Sequence, residues 1–371
     1  MVSMKDVAKA AGVSQPSVSY AYSGSPKISA SMREHIFAVA ERLGYPGPNL
    51  RAGSLRSGRV GAIGLIVMDQ LSYACADPWV MSLLQGISSV NELANVALTL
   101  FPMNNDNLAS EERSASNLAV RGLVDGLIIS TLPDDHPTIK AILQRKIPLV
   151  VVDSPYIPQA HYVGIDDREA ARNQVRHMLD LGHRKLGIIV ERLRPDGHRG
   201  AVSLTRFEQS NEMIARERLA GYIEAARTGG IGFEQLHIVE AGAFDRVSGK
   251  AAAQTLLRDH SVTAIVASSD VMALSAIAAA TELGLSVPGD ISVIGFDDIA
   301  EAALQGLTTI RQPLVEKGVC AARFLIDILD QPPSPKSPPK RKIFPTELIV
   351  RSSTAAPRAQ TRAGTKKSSA A

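Results

Sequence analysis

Two cysteines, Cys75 and Cys320, are all that this 371-residue chain contains, too few for a disulfide framework at this length. Aromatic residues make up only 4%. No apolar run reaches the roughly 18–20 residues that a membrane span needs. Lys5, Asp6 and Lys9 put charge where a secretory leader would carry its apolar core. These absences predict a cytoplasmic protein with no membrane partner. Catalytic patterns are missing too. Gly58, Gly61 and Gly64 fall before and within a predicted strand rather than opening a helix, so they make no dinucleotide fingerprint. There is no Walker A loop and no Gly-x-Ser-x-Gly elbow. The eight histidines are scattered without ligand spacing, and His183 reads as structural. The expectation is a non-enzyme: no catalytic residue, no metal, no cofactor.

What is present is 45% hydrophobic and 21% charged sequence dominated by Ala, Val, Ile and Leu, a composition suited to packed α/β layers. The charge is unevenly placed. Residues 1–59 hold eight Lys or Arg against three acids, residues 355–371 hold four basic residues and no acid, and the stretch between is net acidic. By charge alone, a polyanion partner for the head and a plain solvated surface are equally good readings.

The first 45 residues carry three helical patterns. Ser3 and Asp6 stand at capping-box spacing before a helix ending near Ala11. Gly12-Val13-Ser14 interrupts it, Ser14 can cap a second helix to about Tyr22, and Pro16 sits in that helix's first turn, where its missing N–H costs nothing. Ser29 or Ser31 opens a third, with the stripe Met32, Ile36, Val39, Ala40, Leu43 stopped by Gly44. Two helices joined by a short turn and packed on a third make a helix-turn-helix unit, although many three-helix bundles bind no DNA.

From Val60 onward, strands alternate with helices. The predicted strands are 60–67, 96–101, 126–130, 148–152, 186–190, 237–239, 264–267 and 292–295, with helices over 79–93, 168–181, 216–226, 248–259 and 271–283. Such alternation implies parallel sheets covered on both faces. Its extent suggests two lobes with a cleft, and ligands bind such sheets at the carboxyl ends of the strands. Residues 192–211 read as a long loop beside the cleft, 331–342 as a proline-rich exposed connection, 343–350 as a last strand, and 355–371 as a disordered basic tail.

KDVAKAAGVSQPSVSYAYSG at the N-terminus resembles the signature of LacI/GalR-type repressors. ERLGY and NLRAGSLRSGR are similar to the end of that headpiece and its hinge. LGHRKLGII, RERLAGY, SDVMALSAI, VPGDISVIGFDDI and LTTIRQP follow in the family's order. The resemblance covers roughly residues 3–354. It implies an all-α helix-turn-helix headpiece (1–46), a hinge helix (47–59), and an α/β core of two Rossmann-like lobes (60–354), like periplasmic binding proteins. In that core the lobes interleave, with crossovers near 163, 295 and 325.

The resemblance also implies roles. The second helix would lie in the major groove, with Gln15, Pro16 and Tyr20 facing base edges and Ser17 and Ser19 alongside. Tyr20 departs from the Arg that many members carry. Ser3 would contact phosphate. Asn49 and Leu55 belong to a hinge that turns helical on DNA, Leu55 wedging a minor-groove step, while Gly53 weakens that helix off DNA. In the core, Arg218 and Asp297 would grip an effector from opposite lobes, Trp79 and Phe244 would wall it, and Asp69, Asp153 and Ser269 would complete the set; Ser269 replaces the Asn of some relatives. The implied partners are double-stranded operator DNA, a sugar-like effector, and a second copy in a homodimer or tetramer. A transport receptor sharing the core fold is opposed by the headpiece and the expected lack of a secretory leader, and a sugar-metabolising enzyme by the lack of any candidate nucleophile or base.

Overall fold

The computed structural model of the chain describes residues 2–47, 60–68, 70–103, 122–258, 262–331 and 338–358. They fall into two compact units, Met1–Gly61 and Ala62–Ala371. The expected hinge contacts Asn49 and Leu55, the hinge residue Gly53, the expected effector residue Asp69, and the tail from 359 on lie outside the described residues.

The first unit is three helices, α1 (Met4–Ala11), α2 (Gln15–Tyr22) and α3 (Ala30–Arg42). Each starts on a serine. Ser3 and Asp6 form the reciprocal capping box, Ser14 accepts from the Ser17 N–H, and Ser29, not Ser31, accepts from Met32. The core is small: Val7, Ala8, Ala11, Val18, Ala21, Ile36, Val39 and Ala40. Met32 and Leu43, expected in the α3 stripe, stay exposed at 39% and 36%. A unit this thin covers only a narrow face of α3. Tyr22 turns inward, edge-on to Phe37 at 5.0 Å and to Tyr45 at 5.9 Å.

The second unit holds two sheets. The first lobe contains β1 (Ala62–Met68), β2 (Ala97–Met103), β3 (Gly126–Ser130), β4 (Leu149–Val152), β5 (His161–Ile165) and β12 (Arg341–Phe344), in the order β12-β5-β4-β3-β1-β2, all parallel. The second lobe contains β6 (Leu186–Val190), β7 (Gly200–Ala201), β8 (His237–Glu240), β9 (Ala264–Ala267), β10 (Ser292–Asp297), β11 (Thr308–Arg311) and β13 (Glu347–Ile349). Their order is β13-β11-β10-β9-β6-β8-β7, with only the edge strands β7 and β13 antiparallel. Every residue of β3, β4, β6 and β9 is buried, as sheets covered on both faces require.

The covering helices are α4 (Leu71–Ala76), α5 (Pro78–Ser88), α6 (Pro137–Gln144), α7 (Asp167–Asp180), α8 (Leu204–Glu208), α9 (Met213–Thr228), α10 (Arg246–Arg258), α11 (Asp270–Glu282), α12 (Ala300–Leu304) and α13 (Leu314–Asp330).

The chain passes between lobes after β5, between β11 and α13 at Gln312-Pro313, and between β12 and β13 at Pro345-Thr346. The expected crossings near 295 and 325 are thereby corrected, since 295 lies inside β10 and 325 inside α13. The expected strand 343–350 is likewise two strands in different sheets. Proline at 345 has no N–H for a ladder, so pairing breaks there.

Helices α5 and α13 cross at Gly86 and Gly318. A Cβ on Gly86 would stand 2.9 Å from the Gly318 Cα and would collide with the Val315 carbonyl oxygen. Gly318→Val is therefore expected to cost at least about 3 kcal/mol, the upper range for overpacking against rigid backbone; a urea unfolding curve reads it, and a loss below about 1 kcal/mol would show that the helices separate easily.

His183 is 1% exposed, with Nδ1 2.9 Å from the Thr263 hydroxyl and Nε2 2.8 Å from the Ala355 carbonyl oxygen. Burial pushes its pKa down, only partly offset by the Ala355 carbonyl. The unfolded chain takes up this proton near pH 6.5, before the native state does. Stability is thus full above that pH and falls as pH drops below it. The pH-stability profile of His183→Gln should be flatter between pH 7 and 5 than the parent's, and a superimposable slope would refute the assignment.

Candidate functional site

On the first unit, Gln15 and Pro16 are exposed at the start of α2, while Ser17, Ser19 and Tyr20 are half-buried along it. Val18 between them is fully buried and holds the helix on the bundle. Lys27 Nζ lies 5.1 Å over the Tyr20 ring, so this tyrosine is flanked by a cation rather than sunk in the core. The Ser3 hydroxyl donates to Asp6 Oδ2 at 2.6 Å, and Ser3 remains exposed at the α1 N-terminus. The five α2 residues singled out from the sequence thus sit on one short helix.

In the second unit a cavity lies between the lobes. Trp79, Arg218, Phe244, Ser269 and Asp297 line it, as expected. Asp153 does not; its neighbour Ser154 does. The Asp153 carboxylate is turned to Lys317, whose Nζ donates to Oδ2 at 2.5 Å. Arg218, on α9, and Asp297, at the end of β10, both come from the second lobe, which corrects the expectation of opposite lobes.

Arg218 is held from three sides. Its Nε donates to Asp167 at 2.8 Å, its Nη1 donates to the Ser268 carbonyl at 2.5 Å, and the guanidinium lies 3.6 Å over the Phe296 ring. Its Nη1 is 4.0 Å from Asp297. Burial opposes its charge, but Asp167 and Asp297 outweigh burial and keep it protonated. Burial pushes the Asp297 carboxyl above the usual range despite Arg218 beside it. Gln312 donates to Asp297 and accepts from Lys317 at 2.6 Å, so a polar chain runs Asp153–Lys317–Gln312–Asp297–Arg218 from the first lobe to the second.

Asp153, Asp297, Asp298 and Thr131 all have positive φ, at 62°, 117°, 58° and 57°. Such conformations cost of order 1–3 kcal/mol each and persist where the surroundings over-determine them, typically at ligand sites. Neither Asp297 nor Asp298 caps α12; Asp298 pairs with Arg311 and Arg351. Ser269 caps α11, accepting from Met272 at 3.3 Å.

The lobes also touch each other directly. Tyr73 on α4 donates to the Phe244 carbonyl at 3.4 Å, and the two rings are 6.3 Å apart. Asp134 pairs with Arg216 at 2.7 Å, and Asn211 donates to Asp135 at 2.8 Å. The segment read as a loop, 192–211, is built: β7 pairs with β8, Ser203 caps α8, and Arg206 bridges Asp196 and Glu240. Arg206 holds Asp196 down to about pKa 2. Only Arg192, at the start of this segment, lines the cavity.

Residues 3–49 match the family "Bacterial regulatory proteins, lacI family", and residues 175–354 match the "Periplasmic binding protein-like domain". The HTH-type transcriptional regulator Rv3575c of Mycobacterium tuberculosis is 36% identical over 348 residues, covering 93% of this chain and 94% of that protein. The chain belongs to the LacI family. Among solved structures similar to this LacI-family protein are a Lac repressor dimer bound to operator and an anti-inducer (TM-score 0.75, 25% identity, 96% of this chain and 99% of that one) and a CelR–cellobiose complex (0.66, 26%, 95% and 100%). The protein is a DNA-binding transcriptional regulator with a helix-turn-helix headpiece and a two-lobed periplasmic-binding-protein-like core, and not an enzyme. Among the described residues no helix of this regulator is long and apolar enough to cross a membrane.

The sequence reading missed Tyr73, Asp77, Glu191, Arg192 and Glu212, which also line the cavity. Glu191 and Arg192 could have been found, because they directly follow β6 at its carboxyl end. Glu212 carried no such signal; it stands at the start of α9, whose first turns line the cavity, and pairs there with Arg192 at 2.6 Å.

Proposed function

We propose that this regulator is a repressor that binds its operator as a homodimer and is controlled by a sugar or related polar metabolite held between the lobes, in the cytoplasm. One observation carries the reading. The cavity is lined by groups of both lobes, two of its lining residues, Tyr73 and Phe244, touch across the lobes, and Asp134–Arg216 is a second interlobe contact. A ligand there favours one lobe arrangement over another, and only such differential binding can shift a regulator's equilibrium. The CelR neighbour's cellobiose supports a sugar. Ser3, Gln15, Pro16, Ser17, Ser19 and Tyr20 would carry DNA contact, and Trp79, Arg218, Phe244, Ser269 and Asp297 the effector. Asp153 would act through Lys317 rather than by direct contact. Two headpieces, one per half-site, account for the homodimer.

Fluorescence anisotropy with DNA from the gene's own upstream region tests this against random duplex, with and without sugars. Specific binding that falls steeply with salt supports it. Equal affinity for both DNAs under all conditions would sink it. Tyr20→Ala is expected to lose about 1–3 kcal/mol of discrimination between the two DNAs while leaving the salt dependence of random binding unchanged, because Tyr20 adds no charge.

A further inference from the structure

Among the described residues that line the interlobe cavity, carboxylates outnumber cations. Asp77 comes from the first lobe and Glu191, Glu212 and Asp297 from the second, against Arg192 and Arg218. Both arginines are already engaged. Arg192 pairs with Glu212 and lies 4.8 Å over the Phe244 ring, and Arg218 is bound to Asp167 and the Ser268 carbonyl. Neither Asp77 nor Glu191 forms an ion pair among the described residues, although the charge of Arg218, already spent on Asp167 and Asp297, also reaches Glu191.

Glu191 is the sharper case. It is 7% exposed, one carboxylate oxygen accepts from the Ser268 hydroxyl, and the other has no hydrogen-bond partner among the described residues. Asp77 faces the same cavity from the other lobe, with Oδ1 taken by the Trp79 N–H at 2.9 Å and Oδ2 by the Tyr73 hydroxyl at 3.0 Å. Burial raises the Asp77 pKa, and the charge of Glu191 adds to the rise. A buried carboxylate without a directly paired cation is costly. Trp79, Tyr73 and Phe244 add ring faces, which attract cations and repel anions.

We infer that the ligand of this cavity is a polyhydroxylated molecule carrying a protonated nitrogen, as an amino sugar does, with the nitrogen bound by Glu191 and Asp77. Sugar phosphates and other anions are refused by the same carboxylates. The inference rests on the effector role proposed above and names the chemistry of that effector.

Isothermal titration of the full-length protein with glucosamine, galactosamine, glucose, galactose and glucose 6-phosphate tests it. At least one amino sugar is expected to bind about tenfold more tightly than its hydroxyl parent, a difference of about 1.4 kcal/mol, and glucose 6-phosphate not at all. Glu191→Gln still accepts from Ser268 but has no charge, and is expected to bring the paired affinities within about threefold. Equal or tighter binding of the parent sugar, binding of the phosphate, or no binding of either amino sugar overturns the inference, as does a preference unchanged in Glu191→Gln. DNA affinity measured with the same ligands separates the two ideas. If a neutral sugar shifts it and the amino sugars do not, effector control stands and the cationic ligand falls. If an amino sugar binds with the stated preference and leaves DNA affinity untouched, the ligand chemistry stands and the control falls.

Discussion

Replacing Lys317 with methionine is expected to destabilise the core by about 3–5 kcal/mol, the usual cost of breaking a buried ion pair from one side. Lys317 is 0% exposed, and its ammonium donates to Asp153 at 2.5 Å and Gln312 at 2.6 Å. It also lies 5.4 Å over the Trp79 ring. Methionine fills similar volume, so packing changes little and the loss is electrostatic. Asp153 is left buried with neither oxygen satisfied, since its Oδ1 already has no partner. The double change Lys317→Met, Asp153→Asn removes the stranded charge, and asparagine tolerates the left-handed backbone at this position. Most of the lost stability should return. Urea unfolding of the full chain reads both variants. A single variant within about 1 kcal/mol of the parent would mean that the pair is not held as ions.

The second large effect is expected at Arg218. Arg218→Met should cost about 3–5 kcal/mol by stranding Asp167 and Asp297, each at most 7% exposed in side chain. Lysine is no substitute, because it cannot donate to Asp167 and the Ser268 carbonyl from one plane while stacking on Phe296. Stability alone would not separate a ligand-binding arginine from a structural one. The variant Arg218→Met, Asp167→Asn does: it should recover part of the stability, Asp297 remaining without its arginine, and still show no thermal shift with the sugar that stabilises the parent. If that double variant responds to the sugar as the parent does, Arg218 only supports Asp297 and does not bind the ligand.

The two sites share a reason for being hard to read in sequence. Lys317 follows LTTIRQP on a helix that was not anticipated, and its partner Asp153 lies 164 positions earlier. The family resemblance implies an effector role for Asp153, which directly follows the strand β4. The structure leaves it at that strand end but gives its carboxylate to Lys317. Glu191 stands at an equivalent strand end and keeps an oxygen on the cavity. Nothing local distinguishes the two acids. The difference is which helix crosses above each strand.

The sequence by itself determined the headpiece helices with their caps and most of the central strands. Ser3, Ser14 and Ser29 start the headpiece helices because a serine oxygen satisfies N–H groups that no carbonyl can reach. Apolar runs such as Leu186–Val190 are strands because both their faces are buried. Only the tertiary structure decided which lobe each strand joins. Periodicity records that a face is buried, not what buries it, so the interlobe crossings at Gln312-Pro313 and Pro345-Thr346 left no pattern. That assignment places Arg218 and Asp297 on one lobe, and sets Asp77 across the cavity from Glu191.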